Sequence, residues 1–165
     1  EANDIWADNI KYASLRSAET AKGTIEAFTA PDEFDACDGS VELVTGVTIG
    51  QQDRQPFGLC YRTEIGTDSN PNAGYKLHIV YGATASPAEQ AHETINDSPD
   101  AMPLSWEYDT VPVVVEGHKP TATLTIDSTK ADAAKLRALE DVLYGSTEAD
   151  ARLPLPDEIA SLLTA

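Results

Sequence analysis

Three histidines, two cysteines and a short run of acids are the side chains best equipped for chemistry in this sequence. Imidazole catalysis and zinc binding both need a partner at defined spacing, as in HxxxH or HxH pairs. His78, His92 and His118 stand in neither. His78 falls beside Lys76 on the second face of an alternating run and reads as a polar strand residue. The acids Asp32, Glu33, Asp35 and Asp38, followed by Gly39, invite a calcium test. An EF-hand loop takes oxygen ligands at positions one, three and five, then Gly, then Glu at position twelve. Asp35 and Asp38 break that register, so the cluster reads as a solvated acidic loop, with a cation held between neighbouring subunits as the other reading. Paired carboxylates can hydrolyse a glycoside, but 28 acids single out no pair. The two tryptophans, Trp6 and Trp106, mark no sugar platform, and Trp106 lies on the apolar side of its run and reads as core. Phosphate loops, GxGxxG turns and GxSxG elbows are missing. Cys37 and Cys60 have no metal-like spacing; they read as buried free thiols, with a disulfide as the alternative and a reducing compartment favoured. No catalytic, cofactor-binding or metal-binding residue is expected.

Net charge is −17, from 28 acids against 11 bases. Binding to nucleic acid needs Lys and Arg to displace counterions from phosphate, so this balance argues against it, and against anionic membrane surfaces. It leaves an ordinary acidic surface or a surface that repels a polyanion. The 165 residues fit a single domain, 1–165, with a sizeable core. No run approaches the ~20 apolar residues of a membrane span, and no basic-then-apolar leader opens the sequence. Glu1 in place of Met is expected of a chain that starts inside a longer gene product or after processing.

Alternation dominates the pattern. Phe57, Leu59, Tyr61, Thr63 and Ile65 fall on one side of a run, with Gly58, Cys60, Arg62 and Glu64 on the other. Tyr75, Leu77, Ile79 and Tyr81 likewise oppose Lys76, His78 and Val80. Period-two alternation predicts strands that each turn one face to a core. The intervening Gly66–Gly74, rich in turn formers, predicts a long-looped antiparallel hairpin. Further strands are expected at Thr24–Phe28, at Val41–Ile49 with an interruption at Gly46, at Met102–Tyr108 and at Thr121–Asp127. Val111–Val115, broken by Pro112, reads as an edge or a bend. Ala30–Gly39 and Gly50–Pro56 read as loops. One helix is expected after Thr129 as N-cap, with Asp132 three residues on and an apolar stripe of Leu136, Leu139, Val142 and Leu143 ending at Gly145. A second is expected from Ser86 with Pro87 in its first turn, and a short third from Pro156. The fold class is mainly β: an antiparallel sandwich or barrel with a flanking α-helix.

Nine stretches, in order along nearly the whole chain, carry a family resemblance: ADNIKY (Ala7–Tyr12), TIEAFTAPDEF (Thr24–Phe34), GVTIGQQDRQPFGLCYRTEIG (Gly46–Gly66), GYKLHIVYGATASP (Gly74–Pro87), NDSP (Asn96–Pro99), SWE (Ser105–Glu107), KPTATLTIDSTK (Lys119–Lys130), LEDVLYG (Leu139–Gly145) and RLPLPDEI (Arg152–Ile159). The ordered set resembles the major tail proteins of long, non-contractile phage tails, particularly of phages of Gram-positive hosts. That resemblance implies a tail-tube fold, six-membered rings that stack into a hollow tube, and the plan shared with the tube of type VI secretion. It implies that DNA passes through without specific binding and that the partners are other copies of the chain and further tail proteins, such as the tape measure and tube-capping proteins. It also implies a virion location after assembly in the bacterial cytoplasm, no membrane anchor, no cofactor, and a segment ahead of ADNIKY largely missing here. A negative lumen wall would keep DNA from sticking, even with a Debye length of ~8 Å.

In such a tube the Gly66–Gly74 loop is expected to join stacked rings. Its tip reaches roughly 13 Å beyond the strands at ~3.3 Å per residue. Asp68, Ser69, Asn70 and Asn72 offer polar groups for a wet interface, Pro71 limits the entropy lost on docking, and Arg54 on the other long loop is a cationic partner for an acid of the next subunit. The rival readings are an acidic β-sandwich binding module of a phage tip or cell surface, a hydrolase on a β-scaffold, and a tube-capping protein of the same fold.

Overall fold

The computed structural model describes residues 2–7, 10–16, 20–68, 70–87, 103–147 and 149–164. Strands β1 (Ala2–Ala7) and β2 (Ile10–Arg16) pair antiparallel with each other. Strand β3 (Lys22–Ala27) leads into a 3-10 turn (Asp32–Phe34) and a one-turn helix α1 (Asp35–Asp38). Strands β4 (Val41–Val44) and β5 (Val47–Ile49) form a second separate hairpin. The main sheet takes β6 (Phe57–Thr67), β7 (Asn70–Pro87), β8 (Leu104–Thr110) and β9 (Thr123–Asp127), joined by β3. Helices α2 (Ala133–Tyr144) and α3 (Pro156–Thr164) close the order. The chain is therefore mainly antiparallel β with flanking helices, the class its alternation predicts.

Strand β7, 18 residues long, organises the sheet. Both β6 and β9 pair with its residues 76–80, so they occupy opposite edges; β8 follows β9, pairing with Ala83–Pro87. The exchange of partners happens at Gly82. The Tyr81 N–H donates to the Ala122 carbonyl, and the next contact is the Val111 N–H donating to the Gly82 carbonyl. Between the pairs Leu59↔Val80 and Phe57↔Ala83, β7 advances one residue more than β6, a β-bulge. Gly82 has φ 57°, and a Cβ there would stand 2.5 Å from the Val111 oxygen, so glycine is required twice over.

The two faces of the sheet are covered by different elements. On one, Leu77, Ile79, Tyr81 and Ile126 pack under Leu136, Leu139 and Leu143 of α2 and Ile159 of α3. The Tyr81 hydroxyl reaches the Pro154 carbonyl at 3.0 Å, tying the chain ahead of α3 to the core. On the other, Phe34 meets Phe57 and Trp106 edge-on at 5.3 and 5.2 Å. The Trp106 indole N–H donates to Asp38 at 2.8 Å, which gives the expected core tryptophan its polar partner.

Several expectations need correction. Ala30–Gly39 is not a plain loop: its acids sit on the 3-10 turn and α1, which are held over Trp106 by Phe34 and Asp38. The α2 cap is Asp132, whose Oδ1 accepts from the Ala134 and Lys135 N–H groups at 2.9 and 3.1 Å; Thr129 is instead taken up by Asp127 one turn earlier. Gly145 does end the helix, with φ 81°. Ser86 and Pro87 belong to β7 rather than opening a helix, because β8 pairs with them; the rest of that expected helix, and Met102, lie outside the described residues. In β6 it is Cys60, not the Tyr61 side, that meets the α2-covered core, since Cys60 stands opposite Ile79. Val111–Val115, expected as an edge or a bend, makes a single isolated bridge, Val113↔Thr121. The helix from Pro156 is present.

Candidate assembly interface

The expected hairpin loop is nearly all strand. Pairing continues through Ile65↔Gly74 to Thr67↔Asn70, with Asp68 in the turn and Ser69 outside the described residues. Asn70, Pro71 and Asn72 lie within β7. Gly, Asn and Pro disfavour strands in isolation, but a partner strand overrides so weak a preference, and the surplus residues on β7 are absorbed in the irregularity between Ile65 and Thr67. The base of the hairpin is anchored: the Tyr75 N–H donates to Ser128 Oγ at 2.8 Å, and a Cβ on Gly74 would meet Thr129 at 2.6 Å.

Arg54 lies in the connection ahead of β6, whereas Asp68 follows its far end. The 11 residues between span roughly 36 Å at ~3.3 Å each, so the structure does not bring these candidates together. Arg54 is also engaged at home. Its Nε donates to the Asp38 carbonyl at 3.1 Å, and its side chain lies against Gly39.

Sequence reasoning missed a different surface. The β4–β5 hairpin stands clear of the main sheet, and every residue from Val41 to Ile49 is exposed. Leu43 is 64% exposed and Val44 60%. Gly46, with φ 81°, makes the turn, and its N–H is held by Glu42 at 2.9 Å. Opposed residues of an antiparallel pair share a face. Val41 opposes Ile49 and Val44 opposes Val47, while the irregularity between Glu42 and Val44 leaves Leu43 on the Val41 side. One face of the arm is thus Val41, Leu43, Val44, Val47 and Ile49; the other carries Glu42 and Thr48. The signal available beforehand was an apolar run broken at Gly46, which looks the same for a buried hairpin.

Further exposed apolar residues are Val111 and Val114 in the connection after β8 and Leu155 just ahead of α3. Val114 is 77% exposed, Val111 69% and Leu155 57%. The Glu116 N–H donates to the Asp157 carboxylate at 3.2 Å, which fastens the bend to the first turn of α3.

His78 and Cys60 are engaged in structural contacts. His78 stacks on Tyr61 at 4.8 Å between ring centres, and its two nitrogens meet the hydroxyls of Thr63 and Thr125 at 2.8 and 3.2 Å. Hydroxyls hold the ring but supply no charge to set up a base. Burial pushes the Cys60 thiol up, away from the reactive thiolate, and both cysteines are free. Burial likewise pushes the Tyr81 phenol up to about 12. Among the described residues no three His, Cys, Asp or Glu side chains are grouped to hold a metal, and no helix is long and apolar enough to cross a membrane. No protein-family model, curated protein or solved structure matches the chain.

Proposed function

We propose that this chain is a structural subunit that self-assembles into stacked rings, forming the tail tube of a long non-contractile phage tail through which DNA passes. The observation that carries this reading is the pair of open sheet edges. The path β3-β8-β7-β6 is antiparallel at every step, so β3 and β6 run in opposite directions. Among the described residues neither has a partner on its outer side. The β3 edge of one copy placed beside the β6 edge of the next would continue the antiparallel order, and a head-to-tail contact repeated by rotation closes a ring.

Charge fits the same role. A chain at −17 resists sticking to DNA, and its subunits repel one another, so assembly should strengthen as salt screens them. In the assembled tube the lumen wall is net negative, the partners are further copies and the other tail proteins, and the location is the virion. The hairpin end at Asp68, Asn70, Pro71 and Asn72 remains the candidate joint between rings. Negative-stain electron microscopy with light scattering tests the reading. Hollow rings or tubes whose yield rises with salt are expected; a monodisperse monomer across concentration and salt would overturn it.

A further inference from the structure

The two open edges of the main sheet both carry charge, and on the same face. Ile25 opposes Trp106, which meets Phe34, so Gly23, Ile25 and Ala27 lie on the Phe34 side of β3. Lys22, Thr24 and Glu26 therefore lie on the α2 side. Cys60 opposes Ile79 beneath α2, so Arg62 and Glu64 of β6 share that side. The Arg62 guanidinium lies 4.6 Å from the ring of Tyr75, which packs against the same core. All four charged residues are exposed. Three have a charge partner at home: Lys22 meets Asp109 at 2.8 Å, and Arg62 meets Glu64 at 3.5 Å. Glu26 has no hydrogen bond or ion pair among the described residues. We propose that Glu26 of one copy pairs with Arg62 of the next, and Lys22 with Glu64, and that these two contacts set the register in which the β3 edge adds to the β6 edge.

The inference rests on the self-assembly reading above and adds the register. Backbone donors and acceptors repeat along a strand, so side chains must choose among registers. Opposed residues share a face, so a sheet whose α2 side continues unbroken sets Glu26 opposite an even-numbered position of β6. Opposite Glu64 it meets a like charge. Opposite Gly58 it brings Lys22 onto Arg62, again a like charge. Opposite Gly66 only Ile25, Glu26 and Ala27 still lie alongside β6. Opposite Arg62 it makes the pair directly and leaves Lys22 one diagonal step from Glu64. Opposite Cys60 the roles exchange, with Lys22 on Glu64 and Glu26 one diagonal step from Arg62. The two surviving registers make the same two contacts. A second copy is the occupant because each edge finds its opposite direction and its complementary charges on the other edge of the same sheet. One chain cannot make these contacts by itself, since β8 and β7 hold the edges three strand spacings apart, about 14 Å. Glu107 and Asp109 stand beside β3 on the same side, so the joint as a whole stays acidic. Exposed ion pairs are weak; the backbone hydrogen bonds hold the strands, and the charges select how they align.

The test is charge reversal in the full chain, read by negative-stain electron microscopy and light scattering. Glu26→Arg should keep the thermal unfolding midpoint, because Glu26 has no contact at home to lose. It should lower the yield of rings or tubes several-fold at the lowest salt that assembles the unmodified chain, and the deficit should shrink as salt screens the new like-charge pair. Arg62→Glu should lower the yield likewise, and its midpoint is expected to fall as well, since the Tyr75 and Glu64 contacts go with it. The double variant, Glu26→Arg with Arg62→Glu, should regain assembly without regaining midpoint. The two positions are on opposite edges, so such a rescue reports a contact between copies. Lys22→Glu with Glu64→Lys reads the second pair in the same way, and serves where Arg62→Glu does not fold. Unchanged assembly by Glu26→Arg overturns the ion pairs and leaves the tube reading standing, as does a folded double variant that stays unassembled. Glu26→Gln assembling better than the unmodified chain also overturns them, because the charge would then be a guard against edge pairing. An unmodified chain that never assembles overturns the tube reading itself, and the register with it.

Discussion

Two antiparallel pairs in this chain are built from similar material and end in opposite situations. In β7 and β9, Leu77 and Ile79 oppose Ile126 and Leu124 beneath α2, and Leu77, Ile79 and Ile126 are shut off from solvent. In β4 and β5, Val41, Leu43, Val44, Val47 and Ile49 line one face just as densely, and solvent reaches all of them. The difference is the cover. Strand β9 runs directly through the Asp127–Lys130 turn into α2, so the helix that buries its face is the next element in the chain. The arm is followed by the Gly50–Pro56 connection and then β6, and among the described residues no element is placed over it. An exposed apolar face of this kind is the sort of surface that marks an interaction site.

The comparison breaks most directly at Leu139, which is fully buried over the sheet. Leu139→Ala removes a side chain whose place α2 cannot refill, and should cost about 2–5 kcal/mol in urea unfolding. A change near zero would mean that α2 does not cover the β7–β9 face as described. Gly82→Ala comes next. A residue with a Cβ must adopt φ 57° and displace the Val111 carbonyl, so a loss of about 1–3 kcal/mol is expected from the backbone conformation. Retained stability would show that the exchange between β9 and β8 along β7 can move off this residue.

Asp132 sharpens the same side of the comparison with a smaller effect. Its carboxylate is held below the usual range by the Lys135 and then the Ala134 backbone N–H groups it accepts from. A depressed folded value means the contribution is complete above the unfolded value near 3.8 and fades as pH falls through the folded one. Asp132→Ala should therefore lower the thermal midpoint at neutral pH, with the gap to the unmodified chain closing below about pH 4. Asp132→Asn, a capping residue that does not titrate, should keep most of the midpoint and lose that pH dependence. A gap that persists unchanged in acid would remove the carboxylate from the cap.

What the sequence made legible divides along the same line. Period-two alternation placed β6, β7 and β8, and the stripe Leu136, Leu139, Leu143 with its Gly145 stop placed α2, because these signals arise from each element's own geometry. Features set by a distant partner were not legible. Tyr61 falls on the more apolar side of β6, but α2 lies over Cys60 on the other side, a choice made by where α2 and α3 return. The Gly66–Gly74 composition reads as loop because turn formers weaken a lone strand, whereas β6 supplies the pairing that keeps it extended. Thr129 and Asp132 both have capping side chains, but the Thr129 N–H and hydroxyl are taken up by Asp127, and Asp132 is the cap. The candidate interface was the least legible part. The earlier candidates Asp68 and Arg54 are polar loop residues, while the arm is apolar, and exposure of an apolar hairpin is a property of the whole fold.

The smallest expected effect is the most informative for the arm. Leu43 is 64% exposed, so Leu43→Ala deletes methyl groups that already touch water and leaves no cavity behind. Surface changes of this kind usually stay within about ±0.5 kcal/mol. Urea unfolding of the unassembled chain should therefore hardly distinguish Leu43→Ala from the parent, although the same type of truncation at Leu139 is expected to be among the most damaging. The measurement is made at low protein and low salt, where self-repulsion at −17 keeps copies apart. If the chain assembles as proposed above, raising salt until rings form should separate the two chains only where Leu43 lies in a subunit contact. A clear loss at low salt would mean that Leu43 is already covered within its own chain, and the contrast between the covered sheet and the bare arm would collapse.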